Sequence, residues 1–368
     1  MIDNSEYRVC SSCFSDSELR AWIRGREEQR GCSACGKYCS PTAPLTDICK
    51  RIETCLEKYW GKAAEQLPYE SAEGGYQGAT WDTTELVFDE LELELPRDVN
   101  GCLHAKLMQT LVDEIWCDYD WLSLNDDVAL QMSWVEFCET IKHKRRFFFH
   151  HLGGDEDDRD SYSSTQILRI IANLCQEMGL ICDLPVGASL WRARSDIKKR
   201  QKTTELDFGP PPKEFALQSN RMNPPGIPMF YLASTKKTAQ LETKSNTSRV
   251  GRWRTKSALR VLDLRSIPRI PSMLSNESRK RRLGIIFLHA FVADIIKPVK
   301  RDNLTHIEYL PSQVATEFLR DFEFPDGSID GILYPSTLQE KGWNAALFLG
   351  HNSPAEEPYF KKLFEYCS

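Results

Sequence analysis

Arg221, Tyr231 and Glu242 fall within one short stretch, residues 219–242, able to hold a guanidinium, a phenol and a carboxylate around a single concavity. An arginine can clamp an anion, a tyrosine can stack on a flat ring, and a carboxylate can stabilise developing positive charge. Between the arginine and the tyrosine lies N-P-P-G-I-P (223–228), whose three prolines and glycine fix a bent, poorly extensible backbone and exclude a helix or a central strand. Residues 229–233, M-F-Y-L-A, suit a buried strand, and Ser234 or Thr235 can cap a following helix that carries Glu242. The expected unit is loop, strand, cap and helix, with the proline-rich turn limiting how far Arg221 can wander. The plainer alternative is a turn before an ordinary strand, with Arg221 a surface cation and Glu242 on a solvated helix face.

A second chemistry is written in the cysteines. Cys10 and Cys13, then Cys32 and Cys35, form two C-x-x-C pairs separated by one helix-sized insert, and each knuckle can place its sulfurs at adjacent corners of a zinc tetrahedron. A segment this short builds no hydrophobic core of its own, so bound zinc would supply its folding free energy. Four thiolates leave no open coordination position, which makes the expected zinc structural. Gly36 suits the turn after the second knuckle, and Cys39 is a spare thiol able to replace one ligand. A redox dithiol is disfavoured because no βαβ pattern surrounds the pairs. Of the 13 cysteines, Cys55, Cys117, Cys138 and Cys175 sit within apolar helical patterns and read as reduced, buried small side chains.

The 368 residues predict two or three domains of an α+β chain. A formal charge of -6 and a pI near 5.8 argue against affinity of the whole protein for nucleic acid, so any RNA contact must be local. There is no apolar run of membrane-spanning length, and the start, M-I-D-N-S-E-Y-R, is too polar for a signal peptide; a cytosolic, cytoplasmic chain is expected. The boundaries read as a zinc-binding segment over 1–44, a largely helical domain with an acidic linker over 45–160, and a mixed β-sheet domain over 161–368. Helical periodicity recurs over 47–56, 104–116 and 133–149, whereas 69–100 reads as an exposed loop or a short insertion. The glycine-led, acidic run 153–160 marks the linker, and a helix over 167–178 ends at Gly179. Strands are expected over 188–194, 259–264, 330–336 and 345–349, a mobile or lid-like connector over 198–212, and a helix over 309–320. The basic run 279–282 reads as a solvated helix end.

The run R-M-N-P-P-G-I-P-M-F-Y-L-A followed by a glutamate resembles the core motif of the RES domain family, named for its arginine, glutamate and serine. The resemblance covers roughly 190–349. It puts the family's letters on Arg192 or Arg221, on Glu242 and on Ser336, with Arg194 a helper two residues after Arg192. The aromatic residue usual after the second arginine is Met222 here. The zinc knuckles and helical region resemble the HEPN-like amino-terminal domain found fused to RES domains. Within it, Arg145 and Arg146 each stand five residues before His150 and His151, a spacing similar to the R-x(4-6)-H element with which HEPN dimers cut RNA. Arginines and histidines are also common at helix ends, where cations complement the dipole, and a non-catalytic helical scaffold accounts for the same spacing.

The resemblance implies an ADP-ribosyltransferase-like fold and a toxin that consumes NAD by cleaving the nicotinamide-ribose bond or transferring ADP-ribose. The residue types agree with that substrate. Arg192 and Arg221 would hold the phosphates, Tyr231 a ring, and Glu242 an oxocarbenium-like ribose, while Ser336 would position ribose or nicotinamide. Arg194, Asn223 and Asn344 are candidate binding residues. Ser336 lacks both a G-x-S-x-G elbow and a nearby histidine, so it reads as a hydrogen-bonding group rather than a nucleophile. Compact RES toxins come with a separate antitoxin; here the amino-terminal region could restrain the toxin, sense a trigger or drive homodimerisation. The competing readings are a HEPN-type ribonuclease with a regulatory RES half, and a non-catalytic zinc-dependent binding protein.

Overall fold

A computed structural model describes residues 7–26, 29–38, 40–98, 100–119, 123–148, 160–195, 197, 202–243, 247–299, 304–349 and 358–367. The chain forms two compact units, Met1–Asn125 with Ile270–Leu283, and Asp126–Arg269 with Gly284–Ser368. Among the described residues no helix is long and apolar enough to cross a membrane.

In the first unit the strand Ser40–Pro44 pairs antiparallel with Arg8–Cys10 on one side and Gln29–Arg30 on the other. The helix Leu45–Tyr59 follows at once and buries Leu45, Ile48, Ile52, Leu56 and Tyr59, the stripe that its periodicity predicts. That stripe shares one core with Val9, Phe14, Leu19 and Ile23, so the zinc-binding segment does not stand apart from the helical region that follows it. Two stretches differ from expectation. The helix expected over 104–116 is Cys102–Thr110, after which Ile115–Asp118 becomes a strand between Trp60–Lys62 and Trp81–Asp82. Trp116 is drawn out of helix by this pairing and by its indole N–H, which donates to Thr83 Oγ1 at 3.0 Å. Residues 69–100 are no bare loop either: an Asp82–Glu85 capping box starts a helical stretch that buries Leu86 and Val87.

The second unit begins with the helix Asp126–Glu139, continued by one π-helical turn, Thr140–Lys144. Trp134, Phe137 and Ile141 are buried with Ile167 and Phe291, and the Trp134 indole N–H donates to Asp294 Oδ2 at 2.9 Å. The compact units therefore divide near residue 125, whereas the acidic run expected to separate domains lies further on, mostly outside the described residues. Arg145 is extended, with φ -153° and ψ 142°, so the helix expected to reach 149 has already ended. Arg145 and Arg146 lie beyond that end, and His150 and His151 fall outside the described residues.

An eight-stranded sheet organises the rest. Its order is Phe364–Cys367, Arg249–Thr255, Ser189–Arg194, Phe230–Ala233, Trp343–Leu347, Gly331–Pro335, Leu259–Asp263, Ile181–Leu184. Among the described residues only the pair Leu259–Asp263 and Gly331–Pro335 is parallel. Strand alternation gives the sheet two faces. One carries Leu190, Phe230, Trp253, Leu333 and Leu347 under Phe208 and Phe360. The other carries Tyr231, Leu262, Ile332, Tyr334 and Ala346 against residues of the helices Ser164–Glu177, Arg279–Ile296 and Leu310–Asp321. The connector expected to be lid-like is pinned in its second half. Phe208 packs on Gly251, where a Cβ would sit 2.5 Å from the ring, and the Trp253 indole N–H donates to the Phe208 carbonyl at 3.0 Å. The basic run 279–282 opens a helix as expected, with Arg281 paired to Glu277 at 3.2 Å.

Candidate active site and metal centre

Three of the residues singled out in the sequence meet at one carboxylate. Thr235 caps the helix Lys236–Glu242 by accepting from the Thr238 amide at 3.0 Å, which places Glu242 at the helix's last turn. Asn344 is in register with Ala233 on one side and Tyr334 on the other, so its side chain shares their face, and Ser336 follows two residues after Tyr334. Glu242 Oε1 accepts from Ser336 Oγ at 2.9 Å and from Asn344 Nδ2 at 2.7 Å. Ser336 and Asn344 are buried. Among the described residues Glu242 Oε2 accepts no hydrogen bond. One oxygen is thus anchored by neutral donors and the other keeps its lone pairs.

The loop bearing Ser336 is itself tied to the Glu242 helix. Ser336 Oγ accepts from the Leu338 amide at 3.2 Å, and Thr238 Oγ1 donates to Gln339 Oε1 at 2.6 Å. Gly342 completes the turn because a Cβ there would lie 2.7 Å from Thr238 Oγ1. With its own proton directed at Glu242, the serine is an oriented donor.

The proline-rich turn is braced from within. Asn223 Nδ2 donates to the carbonyls of Pro224 and Ile227 at 3.2 and 2.7 Å, and Gly226 supplies a φ of +89°. The Tyr231 hydroxyl donates to Asn223 Oδ1 at 2.6 Å and accepts from the Met222 amide at 3.1 Å. Burial pushes this phenol well above its ordinary pKa. Tyr231 and Asn223 therefore hold the turn, a structural task that their sequence reading as ring and binding contacts did not include. Met222 is fully buried and its sulfur accepts from Thr316 Oγ1 at 3.0 Å. From the helix Leu310–Asp321, Gln313 Nε2 reaches the carbonyls of Asn220 and Asn223 at 2.7 and 3.1 Å.

Arg221 leaves that turn toward the end of the helix Arg279–Ile296. Its Nη1 donates to the carbonyls of Ile295 and Lys297 at 2.5 and 2.9 Å, and its guanidinium lies 5.5 Å from the Tyr309 ring centroid. Nε and Nη2 make no hydrogen bond among the described residues. Arg192 is not brought to the same place. Register and alternation put Arg192 and Arg194 on the face of Leu190, opposite Tyr231 and Asn344, and the Arg192 guanidinium lies 5.3 Å from the Phe230 ring centroid. A clamp of both arginines on one pyrophosphate is not assembled by a single face of this sheet.

Sequence reasoning missed Tyr334. Burial raises its phenol above the ordinary pKa, and the Glu242 carboxylate adds to that rise while Arg221 opposes it. The signal was available: two residues before Ser336 on a strand, Tyr334 must share its face.

The four cysteines converge as the C-x-x-C spacing predicts. Cys10 Sγ lies 3.8 Å from Cys13 Sγ and 3.7 Å from Cys35 Sγ, and Cys13 Sγ lies 3.8 Å from Cys32 Sγ. All four sulfurs are within 4.8 Å of one another. Zinc–sulfur bonds of about 2.3 Å in a tetrahedron separate sulfurs by about 3.8 Å, so the cluster could hold a metal ion such as zinc. Gly36 turns at φ +69°, and the Cys10 amide donates to Cys32 Sγ at 3.3 Å. The hydrogen bond from Cys13, together with backbone amides, draws the Cys32 thiol well below its ordinary pKa against the opposing effect of burial. Cys39 lies outside the described residues.

Comparison with protein families matches residues 25–155 to HEPN/RES N-terminal domain 1 and residues 189–364 to the RES domain. No curated protein and no solved structure matches the chain. The second match runs beyond the residues that carried the resemblance and takes in the edge strand Phe364–Cys367 at its first residue. With Glu242, Ser336 and Asn344 joined inside that span and the cysteine cluster reaching into the other, the chain belongs to the RES domain proteins that carry a HEPN/RES amino-terminal domain.

Proposed function

We propose that the protein is a RES-type effector that cleaves the nicotinamide-ribose bond of NAD on an ADP-ribosyltransferase-like fold. The observation that carries this reading is the half-held carboxylate of Glu242, with Oε1 fixed by Ser336 and Asn344 and Oε2 uncommitted. When the N-glycosidic bond breaks, its electron pair leaves with nicotinamide and positive charge spreads over C1 and the ring oxygen of the ribose. A fixed carboxylate stabilises that charge without having to reorganise, as in glycoside cleavage. Oε2 would face the ribose or orient the acceptor, and Ser336 and Asn344 act by holding Glu242 in that pose.

Arg221 is the arginine placed on the phosphates, through the Nε and Nη2 donors that its helix-end contacts leave open. Tyr231 serves through the turn that carries Arg221. Arg192 and Arg194, on the other face, enter this scheme only as supports of the strand they occupy. The cysteine cluster is read as a structural zinc centre, with all four ligands supplied by the chain. The amino-terminal region would then restrain or regulate the effector.

The test is to incubate the purified full-length protein with NAD, with and without inorganic phosphate, and follow nicotinamide together with the ADP-ribose half. Release of nicotinamide is expected, and the second product names water, phosphate or a protein side chain as acceptor. Intact NAD after prolonged incubation with metal-replete protein would count against the reading.

A further inference from the structure

A cavity of about 410 Å³ lies wholly within the first unit and shares no residue with the Glu242 site. One wall is formed by the helix Leu45–Tyr59, mostly by residues outside its buried stripe, with Cys55 shared with the core. Asp47, Lys50, Arg51, Thr54, Cys55 and Lys58 recur at steps of three and four, interleaved with the buried stripe of Ile48, Ile52 and Leu56. Trp22 and Arg26 close one side, and Leu274, Ser275 and Asn276 close the other.

The cavity gathers charge that its own walls do not neutralise. Arg26, Lys50, Arg51 and Lys58 face one carboxylate, Asp47, which is already paired to Arg26 at 2.9 Å. Arg51 and Lys58 are met by uncharged groups. Arg51 Nη2 donates to the Leu274 carbonyl at 2.8 Å and to Asn276 Oδ1 at 3.3 Å, and Lys58 Nζ donates to the carbonyls of Ser275 and Glu277. Both Arg26 and Arg51 also lie over the Trp22 ring, at 4.4 and 5.4 Å from its centroid. Burial lowers the Lys58 pKa, with Cys55 and Glu277 opposing the shift and Arg282 and Arg51 adding to it. Two polar atoms of the lining, Arg51 Nε and Ser275 Oγ, are buried with no hydrogen-bond partner among the described residues. In a chain whose formal charge is -6, this local excess of donors and positive charge is a specific feature rather than a reflection of composition.

From these observations we infer that the first unit binds a small molecule bearing two or more linked phosphates between the helix Leu45–Tyr59 and the segment 270–283. The cations set the length. Lys50 and Lys58 are eight residues apart, about 12 Å along a helix, which exceeds the reach of a single phosphate and suits a linked pair or triplet. Such a ligand would supply acceptors to Arg51, Lys58 and Ser275 and would join the two chain segments that form the walls. The inference stands on the first unit alone and does not rest on the NAD reading.

The test titrates the full-length, metal-replete protein with inorganic pyrophosphate at fixed ionic strength, by calorimetry, alongside three variants. Saturable binding of one equivalent is expected for the wild type. Lys50→Glu, an exposed change on a side chain that makes no hydrogen bond among the described residues, should weaken binding by about tenfold or more. Arg51→Gln should weaken it at least as much, and Lys50→Glu keeps the test sound if Arg51→Gln disturbs the fold through Leu274. Lys213→Gln, an exposed change in the second unit away from both sites, should leave binding unchanged. Absence of saturable binding, unchanged affinity in Lys50→Glu, or loss of binding in Lys213→Gln with retention in Lys50→Glu would each overturn the proposal. So would a uridine oligonucleotide that displaces pyrophosphate and binds far more tightly through Lys50, because the site would then belong to nucleic acid.

Discussion

The cysteine cluster and the glutamate cluster are built by opposite means. Cys10 and Cys35 are separated by 25 positions and meet through two tight turns. Glu242 meets Ser336 across 94 positions and Asn344 across 102, and only the register of three strands brings them together. The first cluster consists of four equivalent thiols directed at one another, a closed arrangement suited to a structural ion. The second consists of unlike groups that commit one carboxylate oxygen and leave the other, an arrangement suited to a ligand that comes and goes. A local motif can stabilise the segment that carries it; a site drawn from distant strands depends on the sheet beneath it being folded.

The contrast can be broken most forcefully at the metal centre. Cys32→Ser combined with Cys35→Ser should abolish bound metal, and because structural zinc contributes on the order of 10 kcal/mol, amide exchange over residues 7–45 should accelerate strongly. The eight-stranded sheet should keep its protection, and a first unit unchanged after metal loss would refute the structural role. Next in size are Ser336→Ala and Asn344→Ala. Each removes one of the two donors to Glu242 Oε1 and should slow nicotinamide release by about 10- to 100-fold, with the double variant falling short of the product of the two. A full-speed Asn344→Ala enzyme would show that the carboxylate needs no anchoring.

Smaller effects test the supports. Gly251→Ala drives a Cβ to 2.5 Å from the Phe208 ring and should lower the stability of the second unit by about 1–3 kcal/mol without changing metal content. Tyr231→Phe removes the hydroxyl shared by Asn223 and the Met222 amide and should cost about 1–2 kcal/mol, read as a shift in the denaturant midpoint. If Tyr231→Phe instead leaves stability untouched and raises the KM for NAD, the phenol is a substrate contact and not a brace.

Legibility in the sequence follows the same division. The C-x-x-C pairs specify their own geometry, and the loop, strand, cap and helix of residues 219–242 are local patterns, so Thr235, the strand Phe230–Ala233 and the helix Lys236–Glu242 are found where the sequence places them. Long-range pairing is not written locally. Trp116 reads as helical until its strand partners are known, and Trp134 reads as part of the amino-terminal region until Asp294 and Phe291 meet it. For the same reason the sequence gives no hint that Arg192 and Tyr231, each next to an apolar neighbour, project from opposite faces of one sheet. Tyr334 and the anchoring of Glu242 by Asn344 were within reach once alternation was applied to Ser336 and its register partner.

The most direct test of the central claim is nicotinamide release from NAD by the full-length protein and by Glu242→Gln, which keeps an acceptor for Ser336 and Asn344 but removes the negative charge. A loss of about a thousandfold or more, with unchanged thermal stability and metal content, is the result predicted for a carboxylate that stabilises ribose cation character. Release at the wild-type rate by Glu242→Gln would contradict the account, because the chemistry would then have to reside elsewhere in the molecule.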